Sequence, residues 1–375
     1  MVILSVFILT VYIILIIDLV RGFNRLPEFI PEKTTPQNNF TIIVPFRNEA
    51  KNLPSLLESF SVLNYNVDKF EIILVNDDSL DDFQKIVDEF TAKNSTIQFR
   101  IIQNIRKSLS PKKDAIETAI KKAQFGWIVT TDADCEVPNN WLNNFNSFIQ
   151  KNKVKMIVAP VIYTVENKFL QHFQNLDFLS LQGTTIGSFG MNRPFMCNGA
   201  NLCYAKEAFF EVNGFDRNNE IASGDDVFLM EKILDKFPLG VKYIKNIESI
   251  VKTKPQSNLK ELIQQRIRWA AKTGSTKSMF GKMVGLIVLT TNFYWILLLV
   301  LALFQQISWQ YVGLFFLVKL NIDFVLLYKT TEFFKQKESM KKYLYSSFIY
   351  PFFNVYVAIA SFFKGYQWKG REFRK

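Results

Sequence analysis

The chain has a single histidine, His172, and only three cysteines, Cys135, Cys197 and Cys203, with no C-x-x-C spacing among its 375 residues. That poverty argues against a His-based catalytic triad, a zinc centre and a disulfide framework. There is no internal repeat and no low-complexity segment, and G-x-G-x-x-G does not follow the first strand-like run, which excludes the Rossmann dinucleotide fingerprint. Acidic residues are in the minority: 45 Lys plus Arg against 34 Asp plus Glu leave a net charge of +11. That excess suits nucleic acid, anionic lipid or a phosphorylated substrate, and charge alone does not choose among them. Apolar residues are abundant, at 49% hydrophobic and 15% aromatic with 37 Phe, which excludes disorder, collagen-like sequence and coiled-coil composition. The mean hydropathy is slightly positive although 21% of residues are charged, so the apolar content must lie in blocks, as membrane segments do.

Residues 2 to 20 form a nearly unbroken apolar run whose only charge is Asp18. At ~1.5 Å per residue it spans a hydrocarbon core. Arg21 and Arg25 follow it and only Met1 precedes it, which reads as an uncleaved anchor with its C-terminal side cytoplasmic. A Pro-rich connector (Pro27, Pro31, Pro36) leads to a soluble region reaching about residue 255, with the domain itself placed at 38–255 and a basic segment at 256–282. Apolar runs return at 283–304, 309–328 and 342–363, within a membrane region of 283–363 that ends in a basic tail at 364–375. Three full spans after a cytoplasmic domain would put Lys364, Lys369, Arg371, Arg374 and Lys375 outside, against the positive-inside tendency. Either one run is re-entrant or interfacial, the last one with its Pro351 being the first candidate, or the basic tail is an exception to that tendency. Lys319 and Asp323 are spaced i,i+4 and are expected to neutralise each other within a helix bundle.

Between the membrane segments, β-rich runs at 40–46, 70–77, 97–104 and 127–134 alternate with helical patterns at 52–63, 81–93 and 112–123. Such βαβ alternation predicts a mostly parallel sheet with helices on both faces and a ligand site beyond the carboxyl ends of the strands. Three runs end in polar clusters: Arg47-Asn48-Glu49, Asn76-Asp77-Asp78-Ser79 and Asp132-Ala133-Asp134. If the strand continues through 134, Asp132 and Asp134 point to the same side and offer two hard oxygen donors to Mg²⁺ or Mn²⁺.

VPFRNE (44–49), VNDDSLDD (75–82), PKKDAIETAI (111–120), TTDADCEVP (130–138), CNGANLCY (197–204), GFD (214–216), SGDDVFLM (223–230) and QRIRW (265–269) occur in this order. In that order they resemble the membrane-bound family 2 glycosyltransferases of GT-A fold, including ceramide glucosyltransferases and processive polysaccharide synthases. The resemblance implies a Rossmann-like α/β domain flanked by N- and C-terminal transmembrane helices, facing the cytosol from a cytoplasmic membrane. It implies a sugar moved with inversion from a nucleotide diphosphate donor, a UDP-sugar, onto a lipid or membrane-associated glycan of the cell envelope. It further implies that Glu49 and Asp77 contact the nucleoside, Asp77 accepting from a uracil N–H, and that Lys112, Gln265 and Arg268 lie near the diphosphate with Asp132. Asp132 and Asp134 would hold Mg²⁺ or Mn²⁺, Asp226 would be the base, and Asp225 and Trp269 would border the acceptor. Asp78 stands where many relatives carry glycine.

Plainer roles compete with these. Asp81 or Ser79 is expected to cap the helix at 81–93, and Ser223 or Asp225 the helix that starts at SGDD. A solvated helix face is the competing reading for Lys112 and Lys113, and most of the charge around QRIRW reads as a solvated face or a contact with anionic lipid. Trp269 could be a bilayer-interface anchor. Gly199 is expected either to permit close backbone approach to the acceptor or the donor sugar or to make an ordinary tight connection, while His172 reads as a packed or interfacial side chain and the cysteines as buried ones. A processive synthase, a catalytically silent scaffold with the same fold and a nucleic-acid-binding protein are the competing functions. The last is disfavoured, because the basic residues cluster beside membrane segments.

Overall fold

The computed structural model describes residues 1–32, 34–218, 223–363 and 365–373. It opens with α1 (Val2–Arg25), after which strands and helices alternate: β1 (Phe40–Phe46), α2 (Leu53–Ser61), β2 (Phe70–Asn76), α3 (Phe83–Lys93), β3 (Gln98–Gln103), α4 (Pro111–Lys122) and β4 (Trp127–Thr130). Next come β5 (Cys135–Glu136), α5 (Trp141–Lys151), β6 (Met156–Val158), β7 (Val161–Tyr163) and α6 (Phe169–Gly190). β8 (Leu202–Ala205), α7 (Lys206–Glu211), α8 (Asp225–Lys236), β9 (Val241–Tyr243) and β10 (Val251–Thr253) complete the mixed region. Helices α9 (Leu259–Ala271), α10 (Met279–Leu303), α11 (Trp309–Phe333) and α12 (Tyr343–Phe363) follow, then a short hairpin of β11 (Tyr366–Trp368) and β12 (Arg371–Phe373).

The chain divides into two compact units. The first comprises Pro27–Thr164 and Cys197–Lys254. Its seven-stranded sheet has the order β3-β2-β1-β4-β8-β6-β9. β3, β2, β1 and β4 run parallel, with Phe40 opposite Phe70 and Phe46 opposite Asn76, whereas β8 is antiparallel to both β4 and β6. Successive side chains on a strand face opposite sides of a sheet, yet Ile42, Ile43 and Val44 are all fully buried, so helices cover both faces of β1. From β1 the chain steps outward to β2 and β3, then returns to the other side of β1 for β4. Such a switch point opens a crevice at the carboxyl ends of the strands. A smaller sheet, β5-β10-β7, belongs to the same unit.

The second unit comprises Met1–Leu26, Val165–Met196 and Pro255–Lys375. The expected span of 38–255 runs through both units, because Val165–Met196 groups with the terminal helices. The reason lies in α6, whose backbone meets α1 directly: a Cβ on Gly190 would stand 1.8 Å from the Gly22 carbonyl oxygen. Leu15, Ile16 and Leu19 of α1 share an apolar cluster with Val284 and Leu326. Among the described residues four helical segments are long and apolar enough to cross a membrane: Val2–Arg25, Met279–Leu303, Trp309–Phe333 and Lys337–Phe363. Pro351 does not interrupt the last; α12 runs through it as one helix. Lys319 and Asp323 pair at 2.6 Å as expected, and the Tyr12 hydroxyl of α1 donates to the second Asp323 oxygen at 2.5 Å. Lys364, Arg374 and Lys375 of the basic tail lie outside the described residues.

Candidate active site

The loops after β1 and β2 are laced together by side chains. Asn48 N–H donates to Ser79 Oγ at 3.0 Å, and Leu80 N–H donates to Asn48 Oδ1 at 2.8 Å. Ala50 N–H donates to Asp81 Oδ2 at 2.6 Å. The expected capping by Asp81 or Ser79 is not what forms: the residue before α3 is Asp82, with no side-chain cap bond, because Asp81 and Ser79 are spent on the neighbouring loop. Asp78 adopts φ 56°, the left-handed region where glycine is at ease and Asp is among the tolerated side chains. Arg47 Nη1 holds this bend by donating to the carbonyl oxygens of Asp77 and Asp78 at 2.6 and 2.9 Å. Glu49 is buried and accepts from Asn52 Nδ2 at 2.7 Å.

Asp77 follows β2 and is also buried. Its Oδ1 accepts from Asn104 Nδ2 at 2.7 Å and lies 3.6 Å from Arg106 Nη1, both supplied by the segment after β3. Asn104 Nδ2 also reaches the Pro111 carbonyl oxygen at 3.1 Å, at the first residue of α4. Neither Asn104 nor Arg106 was marked by the sequence patterns. Their position directly past a strand adjacent to β2 is the signal that finds them.

Lys112, the next residue, is the centre of the charge cluster. Its Nζ lies 2.6 Å from Asp132 Oδ1 and 3.4 Å from Asp225 Oδ2. Burial by itself would lower the lysine pKa, but Asp132 and Asp225, with Asp226 behind them, more than reverse this and hold the ammonium well above its ordinary range. Lys113 is not on a solvated face: it is buried, donates to the Asn218 carbonyl oxygen at 2.7 Å and stands 5.0 Å from the Phe228 ring centroid.

Asp132 and Asp134 do not sit in a regular strand. β4 ends at Thr130, the Cys135 N–H closes a turn onto the Asp132 carbonyl oxygen at 3.1 Å, and β5 then begins in the other sheet. The turn, not strand alternation, sets the two carboxylates. Asp134 Oδ1 faces the Cys135 thiol at 3.8 Å, and burial pushes that thiol's pKa well up, with Asp134 and Asp132 adding to the shift, so Cys135 stays protonated. Among the described residues no three Asp, Glu, His or Cys side chains gather into a ready-made cation site.

Asp225 and Asp226 occupy the first turn of α8, where negative charge faces the positive end of the helix dipole. The residue before the helix is Gly224 in a left-handed conformation, so neither Ser223 nor Asp225 caps it. Asp226 is held by two backbone donors, Val227 N–H to Oδ1 at 2.7 Å and Gly199 N–H to Oδ2 at 3.2 Å. Gly199 is closely packed by the charged side chains: a Cβ there would lie 3.1 Å from Asp225 Oδ2 and 3.3 Å from Lys112 Nζ. Thr130 at the end of β4 fixes this segment by donating from its Oγ1 to the Gly199 carbonyl oxygen at 2.9 Å. Stepwise contacts therefore connect Asp77, Asn104, the start of α4, Asp132, Asp225, Gly199 and Asp226 along the carboxyl edge of one sheet.

Gln265, Arg268 and Trp269 lie on α9, in the other unit, all half-buried. The residue between them that sequence reasoning left on a solvated face or against lipid, Arg266, is buried and bonds Asp177 Oδ2 through Nε at 2.6 Å. His172 is packed, 3.1 Å from Ser339 Oγ.

Residues 41–210 match the model of glycosyl transferase family 2, and residues 127–360 match that of glycosyl transferase family group 2. A probable glycosyltransferase of Sulfolobus acidocaldarius is 25% identical over 241 residues, covering 61% of this chain and 48% of that protein. Glycosyltransferase AglE of Haloferax volcanii is 22% identical over 195 residues, covering 52% of this chain and 61% of its own. The chain thus spans about half the length of the first relative and less than two thirds of the second. In fold it is similar to the mannosyltransferase PcManGT of Pyrobaculum calidifontis, solved in complex with GDP-Man and Mn²⁺, with a TM-score of 0.57 and 14% identity over 96% of each chain. With one family model covering well over half of its residues, on a sheet and loop arrangement of GT-A type, the chain belongs to glycosyl transferase family group 2.

Proposed function

We propose that the protein is an inverting, metal-dependent glycosyltransferase held in a cytoplasmic membrane by its apolar helices. It moves one sugar from a nucleotide diphosphate donor, a UDP-sugar by preference, onto a lipid or membrane-associated glycan. The observation that carries this reading is Lys112, an ammonium set between Asp132 and Asp225 at the carboxyl edge of the parallel strands. A cluster of carboxylates around one fixed cation is suited to a diphosphate that arrives with a divalent ion.

The donor set fits such an ion. Asp132 and Asp134 offer hard oxygens, both side chains are half-buried, and the remaining positions would be filled by phosphate oxygens and water, as Mg²⁺ and Mn²⁺ prefer. When bound, the ion neutralises charge on the departing diphosphate. Lys112 adds a permanent positive charge to the same task. Asp77 and Glu49 receive the nucleoside, with Asn104 and Arg106 keeping the Asp77 carboxylate in place. Gln265 and Arg268 serve the diphosphate and Trp269 the acceptor sugar or headgroup.

Asp226 takes the proton of the acceptor hydroxyl. As the acceptor oxygen bonds to the anomeric carbon, the bond from that carbon to the phosphate oxygen breaks and the nucleoside diphosphate leaves with the electron pair. A single base facing the leaving group gives inversion. The Gly199 and Val227 N–H groups hold the Asp226 carboxylate while it waits, and Asp225 borders the acceptor. Three apolar helices after α9 are few for a polymer channel, which favours single transfer over a processive synthase. The test is to incubate membranes containing the protein with UDP-glucose, UDP-GlcNAc and GDP-mannose in turn, with lipid extract, and to follow lipid-phase products by mass spectrometry. No product from any nucleotide sugar, with the protein folded and Mn²⁺ present, would count for a silent scaffold instead.

A further inference from the structure

We infer that Asp177 and Arg266 form a buried positioning pair that fixes the amide of Gln265 and the indole of Trp269. The inference rests on the glycosyltransferase reading for what those two side chains do, and on geometry within one unit for how they are held. Asp177 lies on α6 and Arg266 on α9; both side chains are more than nine-tenths buried, and they are joined Nε to Oδ2 at 2.6 Å. Two charges withdrawn from water this far persist only when each satisfies the other.

The arginine also bonds the Oε1 atom of the adjacent Gln265 through Nη1. A guanidinium has only donors, so the oxygen end of the amide must face it, and the NH₂ end is turned to donate elsewhere. A diphosphate presents acceptors alone, and a glutamine fixed in this sense meets it without an amide flip. On its other side the guanidinium carbon stands 4.2 Å from the centre of the Trp269 ring, in cation–π range, and Phe178, next to Asp177, packs on the same indole at 6.1 Å with a 42° tilt. One residue of α6 thus sets, through one arginine, two of the side chains that the Gln-x-x-Arg-Trp pattern singles out. The helix is seated independently of this pair, because Ile267 and Ala270 pack with Val357 and Ala360 of α12. Removing the charges should therefore loosen Gln265 and Trp269 without detaching α9.

Two variants test this in the full-length protein in membranes and in detergent. Asp177→Leu with Arg266→Met removes both charges together, so no buried charge is stranded. Arg266→Lys keeps a charge for Asp177 but loses the planar fork and the stacking surface. Both are expected to elute as folded monodisperse protein and to transfer sugar at least ten-fold more slowly per folded molecule, with the KM for the nucleotide sugar raised as well. An activity-independent readout is the near-ultraviolet circular dichroism difference between the native protein and Trp269→Phe. That difference reports an ordered indole and is expected to disappear in the Asp177→Leu, Arg266→Met background. A double variant that folds, turns over like the native protein and keeps the Trp269 signal would overturn the positioning role. A native protein that transfers no sugar while its Trp269 signal vanishes in the double variant would overturn the proposed function and leave the positioning pair standing.

Discussion

The Lys112 ammonium lies 2.6 Å from an Asp132 carboxylate oxygen and so ties the first turn of α4 to the turn that follows β4. With Asp225 3.4 Å away on the other side, one lysine joins three separately encoded segments of the chain.

Because its folded pKa lies above that of a free lysine, the stabilisation from Lys112 is complete at every pH below its ordinary value of about 10.4 and is lost only as pH climbs through the higher folded value. Between about pH 6 and about pH 9, neither melting temperature nor turnover should show an inflection from this group. An amine-acylating reagent at about pH 8 should label Lys112 far more slowly than exposed lysines such as Lys85, because only the neutral amine reacts. Peptide mapping by mass spectrometry measures both rates. Lys112→Met should lower stability by roughly 1–3 kcal/mol, since it strands carboxylates that now share its charge.

Gly199→Ala places a Cβ 3.1 Å from Asp225 Oδ2 and 3.3 Å from Lys112 Nζ, so one or both must move. Small displacements of catalytic groups carry large kinetic costs, and sugar transfer should fall roughly 10- to 100-fold with only a slight change in melting temperature. Steady-state kinetics beside a thermal melt separates this from unfolding.

Asp78 pays for its left-handed backbone, and the side chain determines how much. Asp78→Val puts a β-branched residue at φ 56° and should destabilise the protein by about 1–2 kcal/mol. Asp78→Gly should be neutral or mildly stabilising. Equal melting temperatures for the two variants would remove backbone conformation as the constraint at this position.

If Asp132 and Asp134 hold a divalent ion beside the donor phosphates, chelation should abolish transfer and Mn²⁺ or Mg²⁺ should restore it. Asp134→Asn should raise the Mn²⁺ concentration for half-maximal rate roughly ten-fold or more. Asp134 faces the Cys135 thiol while Lys112 pairs with Asp132, so this variant separates metal affinity from the lysine cluster. Transfer that proceeds at full rate in excess chelator would contradict the metal assignment.

The sheet was legible because its strands are short apolar runs separated by helical periodicity, and β1 to β4 fall within a few residues of their expected places. Strand ends were harder to place. Nothing local in TTDAD marks where β4 stops, since a turn closed by a backbone bond from Cys135 has no side-chain signature. Capping was misassigned for a related reason: Asp81 and Ser79 look like helix caps until a second loop, 31 residues away in sequence, competes for them. A solvated face stays open for Lys113 and Arg266 in the sequence because charge on a helix usually lies there; their partners, Asn218 and Asp177, are remote in sequence and show only in three dimensions. Residues 165–196 fall inside the span of the soluble domain yet pack with the terminal helices, a consequence of glycine contacts between α6 and α1 that no hydropathy pattern reveals.

The central claim is that Asp226 removes the acceptor proton, and comparing native protein with Asp226→Asn tests it most directly. Donor binding should be followed by calorimetry, and the glycosylated lipid, with its anomeric configuration, by mass spectrometry and NMR. The account expects Asp226→Asn to bind the nucleotide sugar with near-native affinity and to form no product, while the native protein forms product of inverted configuration. An Asp226→Asn protein that turns over at the native rate, or a native product that retains the donor configuration, would contradict it.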